Sequence, residues 1–125
     1  MIHRRQQAER FGRKSEGVAE LFLRLKGCRI LARRVKTPVG ELDLVAQRGQ
    51  SLVFVEVKAR RGVGALEMAL AQIKPHRHRR AAQYWLARNQ QYASHQKQFD
   101  VIGLAPWRWP IHIQNAFQAE DIYEG

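Results

Sequence analysis

The sequence predicts an α/β fold, a mixed β-sheet flanked by helices, and three observations carry that prediction. Apolar residues recur at three- and four-residue spacing in two separated stretches, near 15–26 and 74–88. Alternating or continuous apolar runs at 29–36, 40–58, 97–104 and 111–113 read as strands. The two kinds of segment interleave along one chain, which is the pattern of helices packed against a sheet.

Size and charge set the frame. With 125 residues, 45% of them hydrophobic, the chain can build one domain with its own core. It divides into a basic N-terminal arm over 1–14 and a single domain over 15–125. The outlier is charge: 22 Lys and Arg against 11 Asp and Glu give +11, with a pI near 10.9. Such an excess points to a polyanionic partner, nucleic acid first and an acidic membrane second. Cys28 stands alone, which excludes a disulfide framework and a cysteine-based zinc site and fits a reducing cytosol. No apolar run approaches the roughly 20 residues of a membrane span. The first residues lack the apolar stretch of a secretory signal. The expectation is a cytoplasmic protein without a membrane anchor.

The elements follow in order. Arg4, Arg5, Arg10, Arg13 and Lys14 make a mobile basic arm that turns helical. Val18, Leu21, Phe22 and Leu25 form the apolar stripe of a first helix, with Ser15 as its N-cap, Glu16 in its first turn and Gly27 as its stop. A strand over 29–36 turns at Thr37-Pro38-Val39-Gly40 into a hairpin. Beyond Lys58, Gly62 and Gly64 mark a flexible basic loop. A short helical piece over 65–72 leads to Pro75, which suits the first turn of a second helix running from about 74 to 88. Its apolar positions are Ala81, Ala82, Trp85 and Leu86. Strands over 97–104 and 111–113 precede a short acidic tail, 120–124.

The hairpin carries the chemistry. Pairing across Arg48-Gly49-Gln50-Ser51 sets Gln47 opposite Leu52, Asp43 opposite Glu56, and Glu41 opposite Lys58. One face is then wholly apolar: Leu42, Leu44, Ala46, Val53, Val55 and Val57. A slip of one residue would mix polar groups into that face, so the pattern itself selects the register. Like charges directly opposed on a sheet repel, and Asp43 facing Glu56 therefore calls for a cation. A solvated sheet edge is the plainer reading, but the four apolar residues before Glu56 mark a buried strand. Glu41 facing Lys58 reads as a neutralising pair.

Two further clusters stand out. Lys74-Pro75-His76-Arg77-His78-Arg79-Arg80 is the densest basic run. At a helix start it would present Lys74, Arg77, Arg79 and Arg80 to a phosphate backbone, with Arg60 and Arg61 nearby, in sequence-independent contact. His76 and His78, two apart, lack the three- or four-residue spacing of a helical metal pair and read as surface residues. Trp107 and Trp109 flank Arg108; bases could stack there, although core or interface packing is the commoner use.

Gly40-Glu41-Leu42-Asp43-Leu44-Val45, then Val53-Phe54-Val55-Glu56-Val57-Lys58, resembles the PD-(D/E)xK nuclease core. Together with Glu16 and Ala19, Lys74, Ala81-Ala82, Trp85-Leu86 and Phe99-Asp100-Val101, the chain resembles the YraN-like family over about 12–101. That family is similar to Holliday junction resolvases of restriction-endonuclease-like fold. Ser15, Gln98 and Pro75 depart from the family pattern and leave the Asp–Glu–Lys core intact.

The resemblance implies an endonuclease that hydrolyses DNA, branched or junction DNA included, with Mg²⁺ or Mn²⁺. A divalent cation suits a phosphodiester because it polarises the phosphoryl oxygen and activates water. Asp43, Glu56 and the Val57 carbonyl would hold it, Lys58 would orient the nucleophile, and Glu16 would reach in from the first helix. For Glu16 a favourable helix-dipole contact is the competing reading. Lys74 is the cation placed closest to the scissile phosphate. Resolvase kinship would also imply a homodimer, since two symmetric cuts need two sites. The alternative is a nucleic-acid-binding protein that keeps the fold without turnover; an acidic membrane or protein partner explains the charge but not the hairpin.

Overall fold

The alternation of apolar faces is realised as a five-stranded mixed sheet with helices on both sides. The computed structural model describes the backbone of residues 2–117 and the side chains of 12–117. The acidic tail and the side chains of Arg4, Arg5 and Arg10 lie outside the described residues. The elements are α1 (Ile2–Leu25), β1 (Arg29–Thr37), β2 (Gly40–Arg48), β3 (Ser51–Ala59), α2 (Val63–Ala71), α3 (Pro75–Ala87), a 3₁₀ turn (Gln90–Tyr92), β4 (Gln96–Leu104) and β5 (Ile111–Phe117). The strands lie in sequence order, with β3 and β4 parallel and the other neighbours antiparallel. The parallel pair needs a crossover, and α2 and α3 supply it.

Two apolar layers result. Ala19 and Leu23 of α1 bury Leu44, Ala46, Val53, Val55, Ile102 and Leu104 on one face. Ala81, Ala82 and Trp85 of α3 bury Leu42, Val45, Leu52, Phe54 and Phe99 on the other. Phe54 stacks on Phe99 at 5.3 Å and meets Trp85 edge-on at 6.1 Å, the offset geometries that aromatic quadrupoles favour.

Some expectations need correction. The first helix begins at Ile2, so Ser15 is no N-cap; it sits inside α1, buried. Helical polar residues of 2–14 continue the same helix because nothing in that stretch breaks it: it holds no proline, and a lone glycine, here Gly12, only weakens a helix. Glu16 is likewise mid-helix, which removes the helix-dipole reading. Leu42 packs with α3 and not with Leu44. The cause is local: the β2–β3 ladder ends at Leu44 and Val55, and beyond it β2 is drawn toward α3. Gly40, at φ +153°, makes that approach feasible, because a Cβ there would lie 3.0 Å from the Arg77 carbonyl. Lys74 caps α3 and Pro75 opens it, as the sequence predicts.

Ion pairs tie α1 to β1. Glu20 binds Arg33 and Arg24, and Glu16 accepts from Arg34 Nε at 2.7 Å. The Arg33 hydrogen bond holds the Glu20 carboxyl at about 2, below its usual range. Both pairs are largely solvated and orient the helix more than they stabilise it.

Candidate active-site cleft

A β-strand places alternate side chains on one face. Glu56 and Lys58 therefore follow Phe54 onto the α3 side of β3, just past the point where apolar cover ends. The two groups meet there: Lys58 Nζ lies 3.0 Å from Glu56 Oε1. The other Glu56 oxygen faces His78 Nε2 of α3 at 3.4 Å. Glu56 keeps only 11% of its side chain exposed.

Asp43 completes the group by an unexpected route. Its carboxylate Oδ2 accepts the Val57 N–H at 2.7 Å, where a ladder carbonyl would otherwise stand. The Asp43 side chain thus substitutes for the strand partner that β2 no longer provides. In a strand the N–H and C=O of one residue share an edge, so the Val57 carbonyl faces the same side as Asp43. Burial first, then the Glu56 charge, push the Asp43 carboxyl from 3.8 up to about 7, against the pull of the Val57 N–H. Burial also holds the His78 imidazole below its usual value, against the attraction of Asp43. Its ring packs 6.0 Å from Phe117.

The walls of the cleft come from three elements. Its volume is about 350 Å³, and Glu41, Asp43, Glu56 and Lys58 face Lys74, Arg77 and His78 across it. The start of α3 therefore contributes a positive helix end and two exposed cations, Lys74 and Arg77, which together suit an anion. On the sheet side the donors are hard oxygens. Two carboxyls compete for one proton, and a divalent cation that accepts one or two carboxylates plus outside oxygens relieves the same repulsion. Among the described residues no three His, Cys, Asp or Glu side chains form a closed metal cage. The residues able to hold such an ion are Asp43, Glu56 and the Val57 carbonyl, which leaves coordination positions open.

Five of the expected residues converge, and the exceptions are instructive. Asp43, Glu56, Lys58, Lys74 and Arg77 share the cleft. Glu16 is paired with Arg34 and does not line it, although its negative charge adds to the rise at Asp43. The Glu41–Lys58 pair does not form, because the strands diverge beyond Leu44 and Val55 and Lys58 takes Glu56 instead. Arg79 and Arg80 lie on α3 outside the cleft lining; Arg60 and Arg61 follow the end of β3, with Arg60 hydrogen-bonded to the Ala59 carbonyl at 2.7 Å. His78, read as a surface residue, is half-buried against Glu56. A signal for it exists: His78, Ala81, Ala82 and Trp85 occupy i, i+3, i+4 and i+7, so His78 extends the buried stripe of α3 by one turn.

Comparison with known proteins adds the family. The model of a family described as "Uncharacterised protein family UPF0102" matches residues 15–104. A UPF0102 protein of Mesorhizobium japonicum is 47% identical over 113 residues, 90% of this chain and 90% of its own. One from Chelativorans sp. strain BNC1 is 44% identical over 92% of this chain and 93% of its own length. One from Methylorubrum extorquens strain PA1 is 44% identical over 95% and 93%.

Proposed function

The chain belongs to the UPF0102 family, the YraN-like group, and on the chemistry of its cleft we propose that it is a divalent-metal-dependent endonuclease acting on DNA. The carrying observation is the half-buried Asp43–Glu56 pair with Lys58 on Glu56, set opposite the cationic first turn of α3. A pure binding surface gains nothing from two acids in a phosphate track, since they repel the ligand unless a cation stands between them. The net charge of +11 supports a polyanionic substrate.

Mg²⁺ or Mn²⁺ held by Asp43, Glu56 and the Val57 carbonyl would polarise the phosphoryl oxygen and supply a nucleophile at neutral pH. The remaining work belongs to side chains. Lys74 and Arg77 bind the backbone on either side of the scissile phosphate and set its distance from the acids. Lys58 stands where negative charge develops, and a preorganised ammonium there lowers the barrier. Asp43, protonated in part near neutrality, must lose its proton to engage a cation, so metal affinity rises with pH through about 7. His78 fixes the second Glu56 oxygen. Among the described residues no helix is long and apolar enough to cross a membrane, and the unpaired Cys28 is compatible with the reducing cytoplasm where we place its action.

One observation favours a second reading, a nucleic-acid-binding protein without turnover: Lys58 and His78 already engage both Glu56 oxygens. Cleavage of labelled single-stranded, duplex, flap and four-way-junction DNA with Mn²⁺ or Mg²⁺, with Asp43→Asn in parallel, decides between them. Metal-dependent cutting that the variant loses supports the nuclease. Binding without cutting, unchanged in the variant, supports the binder.

A further inference from the structure

Trp107 and Trp109 are the most exposed large apolar side chains among the described residues, at 102% and 89%. Core or interface packing within the chain therefore does not account for them. Trp107 also sits in a costly conformation. Ala105 accepts the Arg108 N–H at 3.3 Å across Pro106 and Trp107, and Trp107 has φ +63°. This is a type II turn with Pro at its second position and, at the third, a residue in the left-handed region that glycine or asparagine fills most easily. A bulky indole there is strained and buries nothing. A strained, exposed aromatic residue that the fold does not use points to a ligand.

Position and charge say which ligand. Leu104 pairs with Ala59, and Arg60 N–H donates to the Leu104 carbonyl at 3.0 Å. The loop thus springs from the sheet end that carries Lys58 and Arg60. Trp107 lies three residues beyond Leu104, and Ala59 three beyond Glu56, so at about 3.3 Å per extended residue the two sites are no more than about 20 Å apart, and the turn at Ala105–Arg108 shortens that span. It takes up to about six stacked nucleotides at about 3.4 Å each. Arg108 lies between the two tryptophans in sequence and is itself exposed, so aromatic and cationic side chains alternate along the loop, a combination that single-strand binding uses. Self-association is a poorer fit: two indoles bury about 300–500 Å², short of the roughly 800 Å² per partner in a stable complex.

We infer that Trp107 and Trp109 form a stacking platform for unpaired bases, with Arg108 on the intervening backbone. The substrate class is then DNA with a single-stranded segment adjoining the cleft, such as a flap, a fork or an opened branch. This rests on the nuclease reading for its substrate, while the platform itself is testable without catalysis.

The experiment is tryptophan fluorescence and anisotropy of the full chain in chelator, titrated with an oligo(dT) 20-mer, a duplex 20-mer and phosphatidylglycerol vesicles. Trp107→Gly, Trp109→Ala and the double variant accompany the wild type. Oligo(dT) should quench the exposed indoles, and each substitution should weaken it about five- to hundredfold, the range of base–aromatic stacking. Duplex affinity should change less than about threefold, since it rests on phosphate contacts. Trp107→Gly should keep or raise the thermal midpoint, which separates lost stacking from lost folding. Unchanged oligo(dT) affinity in the double variant overturns the inference. So does loss of vesicle binding alone, which would assign the pair to a membrane, or loss of a dimer, which would assign it to self-association. The nuclease reading fails separately, by absence of Asp43-dependent cutting while the quenching persists.

Discussion

Replacing Asp43 with asparagine should stabilise the metal-free protein above neutral pH. Removing a buried, hydrogen-bonded acid ordinarily does the reverse. The asparagine oxygen can still accept the Val57 N–H, and its amide can donate to Glu56 as the protonated acid does, so the contact geometry is kept. The charge is lost. The Asp43 carboxyl is raised from 3.8 to about 7, so the folded protein retains a proton that the unfolded chain releases between those values. Stability from this group is therefore intact below about 3.8, declines as pH rises through the window, and remains reduced above about 7.

The size follows from the same shift. About three units at about 1.36 kcal/mol each give about 4 kcal/mol as an upper figure. Because Glu56 shares the proton, part of the cost survives in the variant, and about 2–4 kcal/mol is expected. For a domain of this size that is a midpoint shift of roughly 5–15 °C. Urea unfolding in chelator, at about pH 5 and about pH 8, measures it. The variant should be the more stable protein at the higher pH, with a much smaller difference at the lower. Millimolar Mn²⁺ should then raise the wild-type midpoint and leave the variant unmoved. A variant destabilised equally at both pH values would refute the like-charge account of the site.

Other perturbations test the remaining parts of the cleft. Lys58→Ala should lower metal-dependent turnover about 10²–10³-fold and leave DNA affinity within about threefold, which comparison of kcat with Kd will read. Lys74→Ala with Arg77→Ala should reduce the slope of log K against log salt by about two, one for each phosphate contact removed, in anisotropy titrations. Gly40→Ala places a Cβ 3.0 Å from the Arg77 carbonyl at φ +153°. It should cost about 1–3 kcal/mol in urea unfolding and lower turnover by shifting α3 away from the acids. A wild-type-like midpoint would show that α3 does not depend on that approach.

Periodicity alone determined a good deal. The alternation in 40–58 selects one hairpin register, because any one-residue slip buries charge, and the structure pairs Gln47 with Leu52 as that argument requires. Pro75 and the Ala81, Ala82, Trp85 stripe locate α3 and its buried face for the same reason: each is a local constraint that neighbouring residues enforce. Asp43, Glu56 and Lys58 were legible as a group because the register and strand alternation carry them to one end and one face of the hairpin, although the register named the wrong partner for Lys58.

Tertiary structure decided what lies beyond the end of the ladder. Past Leu44 and Val55 no backbone pairing holds β2 to β3, and the positions of side chains there depend on what packs above them. The Asp43 carboxylate takes the Val57 N–H, Lys58 turns from Glu41 to Glu56, and Leu42 leaves its expected face because α3 approaches over Gly40. His78 enters the site for the same reason. The stripe of α3 marks His78 as a buried position, but its meeting with Glu56, 22 positions away in sequence, is set by how the helix docks on the sheet, which no local pattern enforces.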